Sequence, residues 1–193
     1  MQKKVLVIQS AALKKGNTAM LADEFIRGAQ EAGNICEKID VAYSSVAGCR
    51  GCLYCRKNGS CIIKDDAPAI NEKILEADVV VFASPIYFYS WNAQMKAVID
   101  RTFAIESRIK NTDFYLLSAC AAPDERFCEV MERSFRTFTG CFRAGGNRIC
   151  GSVFGVGTGD PGSIAGMDSL VKAYEMGKGI NSADGDKIKG FVS

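Results

Sequence analysis

Short apolar runs alternate along the chain with segments whose apolar residues recur at helical spacing. Three runs are mainly apolar, as expected for strands buried on both faces of a parallel sheet: Val5–Gln9, Val79–Ala83 and Phe114–Ala119. Ile35–Val41 and the glycine-interrupted Ile149–Val156 are weaker runs of the same kind. The pattern therefore predicts five strands.

Amphipathic helices are predicted between these strands. A helix over Asn17–Ala32 places Leu21, Phe25 and Ala29 on one face, and Gly33 ends it. Further helices are predicted from the cap residue Asp66 to about Ala77, and over Trp91–Glu106, Pro123–Thr139 and Ser163–Met176, with a polar tail from Gly177.

Strands that alternate with helices indicate an α/β fold, a doubly wound five-stranded parallel sheet with helices on both faces. The predicted strand order is 2-1-3-4-5, which puts the topological switch point between the first and third strands. Ligands bind at such a point, beyond the carboxyl ends of the strands. The loops that begin at Ser10 and Ser84 both leave the sheet at this edge.

Length and charge restrict the classes of protein to consider. The 193 residues predict a single domain over 1–193 with a long loop at 42–66. A formal charge of +2 is too small to indicate a nucleic-acid partner. The apolar runs fall short of the roughly eighteen residues of a membrane span, and the N-terminal run is too short for a signal peptide. A cytoplasmic protein without a membrane segment is therefore expected.

The chain contains no histidine. This excludes Ser–His and Cys–His nucleophile systems, histidine-ligated catalytic zinc and histidine-ligated haem. Any proton chemistry must therefore come from a cofactor, a carboxylate, a tyrosine, a lysine or a thiol.

Four of the nine cysteines lie within thirteen residues, with the spacing C-x2-C-x2-C-x5-C: Cys49, Cys52, Cys55 and Cys61. Thiolates this close in sequence suit an iron–sulfur cluster or a zinc ion. Free thiols that merely pack are a second interpretation, and disulfides are disfavoured in a reducing cytosol. Basic residues surround the cysteines and would stabilise an anionic cluster: Arg50, Arg56, Lys57 and Lys64.

Two loops at the switch point indicate a phosphate-bearing aromatic ligand. The segment Ser10–Thr18 combines a hydroxyl, small residues and a glycine directly before a helix, which is typical of an anion cradle. The alternative is an ordinary strand–helix turn capped by Asn17 or Thr18. The segment matches neither a Walker loop nor a G-x-G-x-x-G fingerprint. The segment Ser84–Trp91 carries a proline-led turn and a cluster of aromatic residues that suit a flat ring.

These residues resemble a known family. The loop ending in Gly16-Asn17-Thr18 resembles the FMN-phosphate loop of flavodoxin-like NADPH-dependent FMN reductases. Ser84–Phe88 and Ala93–Arg101 resemble the flavin-ring loop and the following helix. The Cys49–Cys61 block, followed by Lys64-Asp65-Asp66, resembles the iron–sulfur flavoprotein subgroup, in which such cysteines hold a 4Fe–4S cluster near FMN. Two turns depart from the family pattern: Ala11-Ala12, and Ala119-Cys120-Ala121 after Ser118.

The resemblance implies an FMN-dependent oxidoreductase with a flavodoxin-like fold, a homodimer or homotetramer, and NAD(P)H or a ferredoxin-type carrier as electron donor. It also implies that the flavin mediates the reaction, so no catalytic side chain is predicted. The implied FMN contacts are Ser10, Lys15, Asn17 and Thr18 for the phosphate, and Pro85, Ile86, Tyr87, Phe88 and Ser118 for the ring. The implied cluster ligands are Cys49, Cys52, Cys55 and Cys61. Two alternatives stay open: a cluster-free NAD(P)H-dependent FMN or quinone reductase, and a thiol- or metal-based redox sensor without turnover.

Overall fold

A computed structural model describes residues 1–142, 144–182 and 186–187. Within these ranges seven strands form the sheet: β1 Lys4–Gln9, β2 Ile35–Asp40, β3 Val79–Tyr87, β4 Ser90–Trp91, β5 Asp113–Ala119, β6 Arg148–Gly155 and β7 Asp186–Lys187. The same described residues form six α-helices: α1 Asn17–Glu31, α2 Tyr54–Asn58, α3 Ala67–Glu76, α4 Ala93–Arg101, α5 Glu129–Thr139 and α6 Asp168–Lys178.

The sheet runs in the order β2-β1-β3-β5-β6-β7. Its first five strands are parallel, so the predicted five-stranded order 2-1-3-4-5 is confirmed. Two short antiparallel strands were not predicted: β7 pairs with β6, and β4 folds back on the end of β3. Neither carries a run of apolar residues long enough to be recognised in the sequence.

Both faces of the sheet are buried, as the apolar strands require. Alternate residues of one strand enter opposite cores, because side chains of a strand point to opposite faces. Leu6 and Ile8 pack with α3, α4 and α5, whereas Val5 and Val7 pack with α1 and α6. In the second core α1 and α6 approach closely at Gly177, where an added Cβ would lie 2.1 Å from the Phe25 carbonyl oxygen.

Several predicted boundaries are wrong for local reasons. The helix predicted from Trp91 begins at Ala93, because Trp91 pairs with Ile86 in the β3–β4 hairpin. The helix predicted from Pro123 begins with a 3₁₀ turn over Glu125–Cys128, and α5 follows. The predicted loop at 42–66 contains the short helix α2. Most of the polar tail predicted from Gly177 lies outside the described residues.

Candidate functional site

A cavity of about 320 Å³ lies at the carboxyl ends of β1, β3 and β5. This is within the usual size range of small-molecule sites, and its place is the switch point of the sheet. Four segments line it: residues 11–13 with 16–18, residues 85–87, residues 119–121, and residues 158, 159 and 161. The cavity therefore joins both loops that the sequence singled out.

The N-terminus of α1 opens into this cavity and suits an anion. The cap residue is Gly16, which has no side chain to occupy the helix end. The first helical hydrogen bond runs from the Met20 N–H to the Gly16 carbonyl, at 3.0 Å. The N–H groups of Asn17 and Thr18 are therefore free of helical acceptors, and the helix dipole favours negative charge there.

A tight turn brings the loop into this position. The Gly16 N–H donates to the Leu13 carbonyl at 2.9 Å. A Cβ on Gly16 would lie 3.0 Å from that same carbonyl oxygen, so the turn leaves little room for a side chain. Thr18, two residues further on, is buried and also lines the cavity. Lys15 is exposed and does not line the cavity in this structure.

The Asn17 side chain holds a second loop rather than pointing freely at the ligand. Its amide nitrogen donates to the carbonyls of Thr158 at 3.0 Å and Asp160 at 2.9 Å. Its amide oxygen accepts from the Ile164 N–H at 3.2 Å. The Asn17 side chain thus holds the glycine-rich loop after β6 against the loop before α1. The main-chain N–H of Asn17 remains available to the cavity.

Ser10 and Ser118 lie beneath the cavity, not on its lining. Both are fully buried. The Ser10 N–H donates to the Ala83 carbonyl at 2.9 Å, and the Ser118 hydroxyl donates to the Ser84 carbonyl at 2.6 Å. These bonds fix the ends of β1, β3 and β5 at one level. The two serines position the loops above them.

Asn92, which the sequence analysis missed, completes this support. Its side-chain oxygen caps α4 by accepting from the Met95 N–H at 3.2 Å. Its amide nitrogen donates to the Ser10 carbonyl at 2.8 Å, which links the segment between β4 and α4 to the loop before α1. Asn92 falls inside the helix predicted over Trp91–Glu106, and a capping residue type this close to the predicted start was the available signal.

The strand predicted to end at Ala83 continues as β3 to Tyr87, and its carboxyl end forms one wall of the cavity. Pro85, Ile86 and Tyr87, three of the residues implied as ring contacts, line the cavity. Phe88 does not; it is fully exposed at the tip of the β3–β4 hairpin and borders an adjoining groove. Both central residues of this tip have positive φ, 48° at Phe88 and 64° at Tyr89. Such φ values suit glycine or asparagine better than aromatic residues, so the tip is strained.

The opposite wall is made by the turn after β5 and the loop after β6. The Cys120 N–H donates to the Gly155 carbonyl at 2.9 Å, and the Thr158 N–H donates to the Cys120 carbonyl at 2.9 Å. These bonds place Cys120 and Ala121 on the cavity surface beside Thr158. Small residues at this turn leave space for a ligand.

The cysteine loop, residues 48–62, is closed at its base by a buried ion pair. Arg101 at the end of α4 donates to both carboxylate oxygens of Asp65, at 2.7 and 2.9 Å. It also donates to the Ala47 carbonyl at 2.9 Å. The N–H groups of Ala47 and Ala67 donate to the same carboxylate. Arg101 therefore ties the entry of the loop to its exit.

The ion pair changes the pKa of Asp65. Burial alone would raise the pKa of this carboxyl group, because it disfavours the charged form. Hydrogen bonds from Arg101 and from the N–H groups of Ala47 and Ala67 outweigh burial and lower the pKa below its usual value. Asp65 is thus held ionised at neutral pH.

The four cysteines predicted as cluster ligands are at least partly accessible, but their sulfur atoms do not lie together. Cys49 and Cys52 are exposed, and Cys55 and Cys61 are half-buried. Among residues 1–142 and 144–182, no three histidine, cysteine, aspartate or glutamate side chains are grouped to hold a metal ion. The donor set suits a cluster in chemical type, whereas the present loop conformation does not bring the sulfurs to one point.

The loop before α1 and the chain leading to the cysteine loop are in contact. Tyr43 lies just before the cysteine loop. Its hydroxyl donates to the Ala12 carbonyl, in the loop before α1, at 2.5 Å. The Lys14 ammonium group lies 5.9 Å from the centre of the Tyr43 ring. The loop before α1 and the chain leading to the cysteine loop therefore pack against each other.

Comparison with known proteins identifies a family and several relatives. A family model described as NADPH-dependent FMN reductase matches residues 3–123. An iron–sulfur flavoprotein of Methanocaldococcus jannaschii is 36% identical over 99 residues, which cover 51% of this chain and 51% of that protein. An iron–sulfur flavoprotein of Archaeoglobus fulgidus is 27% identical over 190 residues, 96% of this chain and 82% of that protein. The match thus spans about half the length of the first relative.

Solved structures share the fold at low identity. An azoreductase from Bacillus anthracis superposes with a TM-score of 0.70 at 17% identity, covering 92% of this chain and 99% of that one. An NAD(P)H:quinone oxidoreductase from Methanothermobacter marburgensis gives 0.69 at 17% identity, covering 94% and 98%. Within the described ranges, none of the helices has the length and apolarity that crossing a bilayer requires.

Proposed function

Because the chain belongs to the NADPH-dependent FMN reductase family, we propose that it is an FMN-dependent oxidoreductase whose flavin occupies the cavity between β1, β3 and β5. The observation that carries this proposal is the glycine-capped N-terminus of α1, which opens into a cavity walled by Pro85–Tyr87. That arrangement offers N–H groups to a phosphate and an apolar face to a ring.

Each wall has a separate task in this proposal. The N–H groups of Asn17 and Thr18, with the Thr18 hydroxyl, hold the phosphate. The segment Pro85–Tyr87 orients the ring from one side, and Cys120 and Ala121 limit it from the other. When bound, FMN supplies the hydride and electron transfer chemistry. The chain's lack of histidine fits this division, because the protein is required to bind and orient rather than to act as a general base.

The cysteine loop is proposed as the site of a 4Fe–4S cluster held by Cys49, Cys52, Cys55 and Cys61. The support is the four-thiol donor set and the similarity to proteins named iron–sulfur flavoproteins. Arg50, Arg56, Lys57 and Lys64 are exposed around it. This basic surface suits an acidic electron carrier of the ferredoxin type.

A second candidate is favoured by one observation, the dispersed position of the four sulfurs. In this version the protein is a cluster-free FMN oxidoreductase that takes hydride from NAD(P)H and reduces a small acceptor. A homodimer or homotetramer is proposed in either version. The support is the exposed aromatic tip of Phe88 and Tyr89 beside the cavity, which a second subunit would cover.

The decisive experiment separates the cofactors. Protein purified without oxygen is titrated with FMN and with riboflavin, and binding is followed by flavin fluorescence. FMN is expected to bind much more tightly, since riboflavin has no phosphate for α1. Equal affinities, or no binding of either flavin, would overturn the proposed site.

Iron and acid-labile sulfide are measured on the same preparation. About four of each per chain, lost in a Cys52→Ser variant that still binds FMN, supports the cluster. FMN binding with neither iron nor sulfide supports the cluster-free enzyme. A redox sensor without turnover is indicated when no NAD(P)H oxidation occurs with any acceptor and oligomer size changes with oxidation state.

A further inference from the structure

Two cysteines outside the cysteine loop lie in contact beside the proposed flavin cavity. The sulfur atoms of Cys120 and Cys128 are 3.8 Å apart. All nine cysteines of the chain lie within the described residues, and each carries a free thiol. A dithiol in van der Waals contact is a precursor of a disulfide, because a bond of about 2.05 Å needs a closure of under about 2 Å.

The two thiols differ in access. Cys120 lines both the cavity and the adjoining groove that contains Phe88 and Phe127. Cys128 is 1% exposed. Burial raises the pKa of the Cys128 thiol to about 12, and the nearby Cys120 contributes further. Cys120 is therefore the thiol that a ligand meets, and Cys128 lies behind it.

The backbone allows the two sulfurs to approach. Cys120 is fixed by its main-chain bonds to Gly155 and Thr158. Cys128 ends the 3₁₀ turn before α5, and the segment 121–127 that joins the two cysteines is mostly exposed. Closure of the S–S bond therefore calls for a movement at the Cys128 end of this segment, because the Cys120 main chain is held by the loop after β6.

We propose that Cys120 and Cys128 are a two-electron redox pair that exchanges electrons with the flavin of the cavity. Oxidation forms one S–S bond and releases two electrons and two protons from the two thiols. These balance the two-electron, two-proton reduction of one FMN, and the reverse step restores both thiols. The exchange with flavin rests on the proposed function, whereas formation of the disulfide does not.

The competing interpretation is that the pair only packs. Cys36 serves as a control for a cysteine that only packs. It is half-buried, and its sulfur contacts the Ile26 carbonyl rather than another thiol. Burial raises the pKa of Cys36 to about 11. A thiol of that kind has no partner with which to close an intramolecular bond.

The first test uses the position of Arg126 between the two cysteines. Full-length protein is treated anaerobically with diamide, which takes up two electrons and two protons, then alkylated and digested with trypsin. Cys120 and Cys128 fall on different peptides, 111–126 and 127–133. We expect these two peptides to appear linked in wild type and in Cys36→Ala, and unlinked in Cys128→Ser. Two alkylated, unlinked peptides in wild type would overturn the pair.

The second test counts electrons. FMN-loaded, diamide-treated protein is titrated anaerobically with dithionite while flavin absorbance is recorded. Wild type and Cys36→Ala are expected to take up two more electron equivalents per chain than Cys128→Ser before the flavin stays reduced. If the two proteins take up equal numbers of electrons although the peptides are linked, only the exchange with flavin is rejected and the disulfide stands. Failure of FMN to bind in a separate titration would reject the proposed function and leave the peptide result standing.

Discussion

Arg101 and Asp65 form a buried, two-point ion pair that determines where the cysteine loop begins and ends. Their side chains are 1% and 6% exposed, and the two nitrogen–oxygen distances are 2.7 and 2.9 Å. Arg101 is the last residue of α4, so the pair connects the helix behind the proposed flavin loop to the base of the cysteine loop. Loop position and core packing are thus coupled.

Replacing Asp65 with Asn is expected to destabilise the protein strongly. The change keeps the shape of the side chain but leaves the Arg101 charge buried without its partner. Removing one member of a buried pair typically lowers the free energy of unfolding by about 3–5 kcal/mol. Urea unfolding measures the loss. The control is Asp100→Asn, which breaks an exposed pair with Lys96 and is expected to cost under about 1 kcal/mol. Equal effects of the two variants would contradict this role.

The same pair predicts a pH dependence of stability. The pKa of Asp65 is lower in the folded state than in the unfolded state, so folded protein binds fewer protons. The contribution is therefore complete above about pH 4 and is lost as pH falls through the folded pKa. Unfolding free energies of wild type and Asp65→Asn are expected to differ most near neutrality and to converge below about pH 4. A gap that widens on acidification would show the opposite sign.

Asn17→Ala is expected to release the loop after β6. The substitution removes two donated bonds, to the Thr158 and Asp160 carbonyls, and one accepted bond from the Ile164 N–H. Hydrogen exchange at the Ile164 amide should accelerate by about tenfold or more, while amides in β1 keep their rates. Unchanged protection at Ile164 would mean that the loop is held by other contacts.

Thr18→Val tests the phosphate contact with nearly constant side-chain volume. Loss of one hydrogen bond to a charged group is expected to weaken FMN binding by roughly tenfold to a hundredfold. Riboflavin binding should not change, because it has no phosphate. Lys15→Ala serves as a comparison and should have a small, salt-dependent effect, since Lys15 is exposed. A parallel loss for both flavins would indicate a general disturbance of the cavity.

Phe88→Asn is expected to stabilise the isolated subunit. Phe88 has a φ of 48° and is fully exposed, so its ring adds little burial while its backbone is strained. Asparagine accepts positive φ more readily, and a gain of about 0.5–1 kcal/mol in unfolding free energy is expected. Phe88→Leu, which keeps the strain, should show no gain. A loss of stability that depends on protein concentration would instead place Phe88 in a subunit contact.

The sequence alone determined the order of the central sheet and the place of the cavity. Both follow from local pattern: apolar runs that alternate with amphipathic segments predict a doubly wound parallel sheet, and in the order 2-1-3-4-5 the switch point lies after Gln9 and Ala83. The two loops found there do line one cavity, as Thr18 and Tyr87 show. The first loop was recognisable because a glycine and capping residues directly before a helix have a local signature.

The tertiary structure decided which side chains face the cavity and which support it. Ser10, Ser118 and Asn92 are turned inward because buried hydroxyl and amide groups require hydrogen-bond partners, and those partners come from distant strands. The contact between Cys120 and Cys128 likewise depends on how the turn after β5 meets the start of α5. Sequence spacing does not predict such contacts, because they depend on how separately formed elements pack in three dimensions.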